Sequence, residues 1–157
     1  MDLKIFLHGL DSSNQGTKSV FFRERYPDMI IPNFTGDLQE RMAKLEEILS
    51  GRSGIVFVGS SFGGLMASVF AMQYESRVER LILLAPAINM IPEHLYIKKK
   101  ISVPTHIYHG THDEVIPLKE VEREAKELFR TLIFNVVDDD HFLYNTCLLY
   151  TSPSPRD

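Results

Sequence analysis

Apolar positions change period along the chain, and the changes mark out alternating strands and helices. Residues 3–8 form a short apolar run ending in His-Gly and read as a buried strand. Residues 15–26 predict a helix stopped by Pro27, and residues 29–31 a second short strand closed by Pro32. In residues 37–50, Leu38, Met42, Leu45, Ile48 and Leu49 recur at a 3.6-residue period, which predicts a helix. Asp37 with Glu40 three residues on forms a capping pair, and Gly51 is a natural stop. Residues 54–59 carry Ile55-Val56-Phe57-Val58, a continuous apolar strand of the kind covered on both faces. A helix over 62–74 follows, then strands over 80–85 and 104–110, a helix over 117–130 and a sixth strand over 132–137. Strands alternating with helices predict a parallel sheet with helices on both faces.

Bulk properties narrow the function classes. The 157 residues suffice for one domain; 44% hydrophobic and 24% charged residues are ordinary for a soluble globular chain. A net charge of −4 leaves no basic excess for a phosphate backbone, so nucleic acid is not an expected partner; Lys98-Lys99-Lys100 is the one basic run and reads as a solvated segment. No stretch approaches the ~20 apolar residues of a membrane span, and the N-terminal run is too short for a signal-peptide core. The single cysteine, Cys147, has no disulfide partner within the chain, so a soluble cytoplasmic protein is expected. Residues 147–157 show no helical or strand period and can be encoded by a string resembling a transposase adapter from sequencing libraries. The expected organisation is therefore one domain over 1–146, cut short at its C-terminus, and a non-native tail over 147–157.

The candidate chemistry starts at Gly59-Ser60-Ser61-Phe62-Gly63. A Gly-x-Ser-x-Gly run is weak by itself, but here Ser61 lies at the turn from an apolar strand into a helix, as a nucleophile elbow requires. Gly59, Gly63 and Gly64 supply the small flanks of a tight turn, and their frame favours Ser61 over its rival Ser60. A serine hydroxyl needs a base, and His141, after the sixth strand, is the candidate among six histidines. Asp113, after the fifth strand, is the candidate to orient it, with Glu114 a near rival and Asp138 to Asp140 able to tune His141. The oxyanion is expected to take backbone N–H groups from Phe62 and from Leu10, in the loop after the first strand. His8 and Gly9 then support that loop. The loop, Ser61, Asp113 and His141 each follow a different strand, and in a parallel sheet those ends share one edge, where ligands bind.

On these residues the chain resembles the α/β-hydrolase superfamily, and within it small, nearly lid-free members such as the YqiA-like esterases. The resemblance covers about residues 3–146 and rests mostly on residues 6–18 and 58–64, with loops around Asp113 and His141 matching the acid and histidine loops. It implies an α/β three-layer sandwich with a mostly parallel six-stranded sheet, the second strand outermost beside the first. It also implies hydrolysis of a small-molecule ester or thioester through an acyl-enzyme, with no cofactor and no metal. The usual N-terminal hairpin is absent, and the helix after the catalytic histidine is expected to be cut off just after Tyr144, leaving His141 loosely held. Only residues 86–103 separate the fourth and fifth strands, too few for a large lid. Met90, Ile91, Leu95, Tyr96 and Ile97 there form either a short flap over an acyl pocket or part of the core. An open site for esters of short or medium acyl chain is expected. A hydrolase-like binding protein without activity is the rival from another class.

Overall fold

The computed structural model describes residues 2–96 and 99–149, so Ile97, Lys98 and residues 150–157 of the Ser/Pro tail lie outside it. Its elements are β1 (Leu3–Leu7), α1 (Thr17–Arg25), α2 (Leu38–Ile48), β2 (Ile55–Ser60), α3 (Phe62–Gln73), β3 (Val78–Leu84), β4 (Thr105–Gly110), α4 (Leu118–Leu128), β5 (Leu132–Val137) and α5 (Tyr144–Leu149). The five strands pair in parallel, in chain order across the sheet.

The second strand expected, over 29–31, shrinks to a single bridge, leaving five strands where six were expected. Ile30 pairs with Ile5, giving its N–H to the Lys4 carbonyl and accepting from the Phe6 N–H, both at 2.9 Å. Pro27 and Pro32 close in on either side and restrict the backbone that a longer ladder would need. The bridge lies outside β1, where the resemblance put it, while β2 lies on β1's other side. The chain therefore reverses its direction of travel across the sheet between Ile30 and β2.

Right-handed crossovers turn that reversal into a change of face. Along each strand the side chains alternate between two clusters. Ile5, Leu7, Phe57, Leu81, Leu83 and Ile107 join the cluster that includes Leu45 of α2, Phe70 of α3 and Val121 of α4. Phe6, Val58, Ile82 and Leu84 join the cluster that includes Phe22 of α1 and Leu143. Helices thus cover both faces of the sheet, and β2 is buried along its whole length. The α3 helix is buried at ten of its twelve positions, which suits its nearly all-apolar sequence.

The helix ends follow their local chemistry. Asp37 accepts from the Glu40 N–H at 2.9 Å, and Glu40 accepts from the Asp37 N–H at 3.2 Å, so the capping box starts α2. Of the apolar stretch after β3, Ile91 packs in the core, and Tyr96 donates to Glu124 of α4 at 2.7 Å. Met90 is exposed. Leu95 packs against the core, so the core alternative holds for Ile91 and Leu95 but not for the exposed Met90 and Tyr96, and none of these four lines the cavity that holds Ser61. The α5 helix begins at Tyr144 rather than ending there, and it crosses the boundary drawn between 146 and 147.

At the β2–α3 junction, strand and helix backbones touch. A Cβ on Gly63 would lie 2.0 Å from the Leu7 carbonyl oxygen, and one on Gly59 would lie 2.6 Å from the Gly63 carbonyl oxygen. Gly63→Ala is expected to lower unfolding stability by about 3 kcal/mol or more, beyond ordinary overpacking, because the obstacle is backbone. Urea unfolding measures this; an unchanged midpoint would contradict the close approach.

Candidate active site

Ser61 caps α3 at φ 54 and ψ −114, a left-handed conformation that a serine adopts at a cost of about 1–3 kcal/mol. The surrounding hydrogen bonds hold it there. Its N–H donates to the Leu84 carbonyl at 2.9 Å, and its carbonyl accepts from Gly64, Leu65 and Ala87 at 2.9, 3.2 and 3.0 Å. The strands on either side and the first turn of α3 thus determine where the side chain starts. Ser60, one residue earlier, ends β2 in register with Leu84.

The acid and histidine loops meet beyond β4 and β5. His141 Nδ1 lies 2.8 Å from Asp113 Oδ2. The Asp113 side chain is fully buried and that of His141 nearly so. Asp113 Oδ1 accepts from the Val115 and Ile116 N–H groups at 2.8 and 2.7 Å, which fixes the carboxylate plane. A carboxylate facing Nδ1 favours the tautomer with its proton there, leaving Nε2 bare. His109 approaches the same Oδ2 at 3.2 Å and the Ile116 carbonyl at 2.9 Å, both through Nε2. Nε2 must therefore carry the proton. His109 Nδ1 is buried without a hydrogen-bond partner among the described residues.

The rival acids lie elsewhere. Glu114 is exposed, and Asp138 pairs with His112 at 2.8 Å on the surface. Asp139 accepts from the Thr146 N–H and hydroxyl at 3.0 and 2.8 Å and from the Asp140 N–H at 2.9 Å. Burial pushes its carboxyl up, but these hydrogen bonds outweigh burial and hold it below the ordinary range. With fully buried Leu143, they tie down both ends of the segment carrying His141.

The loop after β1 is organised by His8. Its Nε2 accepts from the Phe34 N–H at 2.9 Å, so Nδ1 carries the proton and donates to the Gly9 carbonyl at 2.7 Å. That carbonyl and the Leu10 N–H belong to one planar peptide and point in opposite directions. Fixing one therefore aims the other. Gly9 lies against the nucleophile candidate, for a Cβ there would be 3.5 Å from Ser61 Cβ. The Phe62 N–H, first in α3, is among those with no acceptor inside the helix.

Ser61, His141 and the loop after β1 open on one cavity of about 440 Å³, a size ordinary for a small-molecule site. Its lining includes Gly9, Leu10, Ser60, Ser61 and His141, at the sheet edge where the chain reverses direction. Val115, Phe142 and Tyr144 also line it, and with Leu10 they are half-exposed apolar side chains. Lys18 lies over the Phe142 and Tyr144 rings at 5.9 and 5.1 Å. Among the described residues no cluster of three His, Cys, Asp or Glu side chains is arranged to hold a metal ion, and no helix is long and apolar enough to cross a membrane.

A family model described as "alpha/beta hydrolase fold" matches residues 11–100. The chain belongs to the alpha/beta hydrolase fold family. Solved structures with this fold agree. One, from Xanthomonas campestris pv. campestris and described as a hydrolase of the alpha/beta superfamily, is 27% identical, with 92% of this chain and 90% of that one covered and a TM-score of 0.76. Mouse alpha/beta hydrolase domain-containing protein 10 is 18% identical, with 89% and 82% covered and a TM-score of 0.76. A structure from work on LipS and LipT, two metagenome-derived lipolytic enzymes, is 13% identical, with 94% and 89% covered and a TM-score of 0.77. By sequence, no curated protein matches the chain.

Residues that sequence reasoning missed in this alpha/beta hydrolase include Val115, Lys18, Phe142 and Tyr144, whose place at the cavity depends on loop paths without periodicity. Arg41 was also missed, although a signal existed. It lies three residues after Leu38 and four before Leu45, within the apolar stripe of α2, and it is 4% exposed.

Three histidines carry a stability consequence. Burial pushes His8, His106 and His109 below the ordinary value of about 6.5. Below that pH the unfolded chain takes up their protons before the fold does, so stability is full above about pH 6.5 and falls as the pH drops further. Urea midpoints at pH 7.5 and 5.5 are expected to differ in that direction; equal midpoints would contradict the buried neutral imidazoles.

Proposed function

We propose that this alpha/beta hydrolase is a serine esterase acting on carboxylic esters of short or medium acyl chain through an acyl-enzyme. The observation that carries the reading is the Asp113–His141 pair at 2.8 Å opening on the same cavity as the strained Ser61. In this reading His141 Nε2 takes the Ser61 hydroxyl proton as Oγ attacks the ester carbonyl. The N–H groups of Leu10 and Phe62 receive the oxyanion, and Asp113 balances the imidazolium. His141 then hands its proton to the departing alkoxide. Water, deprotonated by the same nitrogen, attacks the acyl carbonyl and frees Ser61. The half-exposed Leu10, Val115, Phe142 and Tyr144 supply apolar surface for the acyl or alcohol group.

Turnover of p-nitrophenyl butyrate and labelling by a fluorophosphonate probe test this reading. Ser61→Ala is expected to abolish labelling, whereas Ser60→Ala retains it. Labelling that survives Ser61→Ala would overturn the assignment. Asp113→Asn is expected to lower kcat on the order of 10⁴-fold, since it leaves His141 in the wrong tautomer. A loss under about tenfold would remove Asp113 from the proposed triad.

A further inference from the structure

The proposed oxyanion end of the cavity is backed by a buried cation that makes no direct ion pair among the described residues. Arg41 is 4% exposed. Its Nε donates to the Gly36 carbonyl at 2.8 Å and its Nη2 to the Leu10 carbonyl at 3.5 Å. Its guanidinium lies 5.3 Å from the centre of the Phe62 ring. Nη1 is buried with no hydrogen-bond partner among the described residues. Among the described residues no carboxylate oxygen lies within 4 Å of its nitrogens, and Asp11 acts on it only through space. One guanidinium therefore touches both residues whose N–H groups are proposed to receive the oxyanion.

Removing a cation from water without a partner costs several kcal/mol. Such a cost is offset when a negative charge arrives nearby, and the tetrahedral intermediate brings one. Lys44, one turn along α2, adds to the same field, which reaches His8 and helps keep it neutral after burial itself. The α3 N-terminus contributes in the same sense.

We propose that Arg41 is a positioning residue for the oxyanion site, pinning the Leu10 carbonyl and Phe62 ring and supplying a fixed positive field that favours the transition state over the bound ester. The inference rests on the esterase reading. Wild type, Arg41→Gln, Arg41→Lys and Ser61→Ala are compared with p-nitrophenyl butyrate and with an alkyl trifluoromethyl ketone, which forms a hemiketal oxyanion on a reactive serine. Arg41→Gln is expected to lower kcat about 10- to 100-fold, less than the ~100- to 1000-fold loss of a donor itself. KM should stay within about twofold, the ketone should bind more weakly by the same factor as kcat falls, and Arg41→Lys should recover most of both. Wild-type kcat in Arg41→Gln, a loss confined to KM, or a lysine variant as impaired as glutamine would each overturn the inference. Should Arg41→Gln not fold, Arg41→Met, which keeps the apolar stem, is read in its place. Turnover surviving in Ser61→Ala would defeat the serine reading itself. A dead Ser61→Ala beside an unimpaired Arg41→Gln would defeat the Arg41 inference alone.

Discussion

The contact between backbones at the end of β2 governs the rest of the site. The Leu7 carbonyl leaves no room for a side chain at position 63, and the Gly63 backbone leaves none at 59. With both positions reduced to glycine, α3 can start directly against the sheet, and the connecting residue must take up a left-handed backbone. That residue is Ser61. Its strain is sustained by hydrogen bonds to Leu84, Gly64, Leu65 and Ala87, elements that also form the core. The same approach brings the loop after β1 against Ser61 through Gly9, so the proposed nucleophile and oxyanion loop are set by one packing event.

Around this point the electrostatics divide into two ends. Asp113 and two histidines occupy the β4–β5 side, where a fully buried carboxylate accepts from two backbone N–H groups and faces His141. Arg41, Lys44 and the start of α3 bring positive charge to the β1–β2 side, with Asp11 opposing part of it. Burial keeps His8 and His109 neutral, so each imidazole acts as a directional hydrogen-bonding group rather than a charge. A proton leaving Ser61 for His141 moves positive charge toward Asp113, while negative charge grows on the side already positive. Charge separation in the proposed reaction runs along the field the fold has built.

Much of this was legible in the sequence. The apolar run over 55–58, the capping box at Asp37 and the period-3.6 stripes of α2 and α4 are local signals, and the elements formed where those signals placed them. The strand at 29–31 failed because neighbouring prolines outweighed its apolar character and left one bridging residue. The alternatives around residues 90–96 divided residue by residue, Ile91 and Leu95 going to the core and Met90 and Tyr96 staying exposed, which no local pattern encodes. Asp113 is set apart from Glu114 and from Asp138 to Asp140 by its contact with His141 and by its buried side chain, both properties of the folded loops. Arg41 shows the opposite case. Its place within an apolar stripe was visible, but its meaning depends on Leu10 and Phe62 lying beside it.

In the proposed reaction one strained serine, placed by backbone contact, carries the acyl group. Rapid-quench mass spectrometry of the protein mixed with p-nitrophenyl butyrate tests it most directly. The account predicts a burst of nitrophenolate accompanied by one butyryl group on the peptide containing Ser61, assigned to that residue by fragmentation and lost as turnover completes. Turnover with no acylated peptide, or a butyryl group on Ser60, would contradict it.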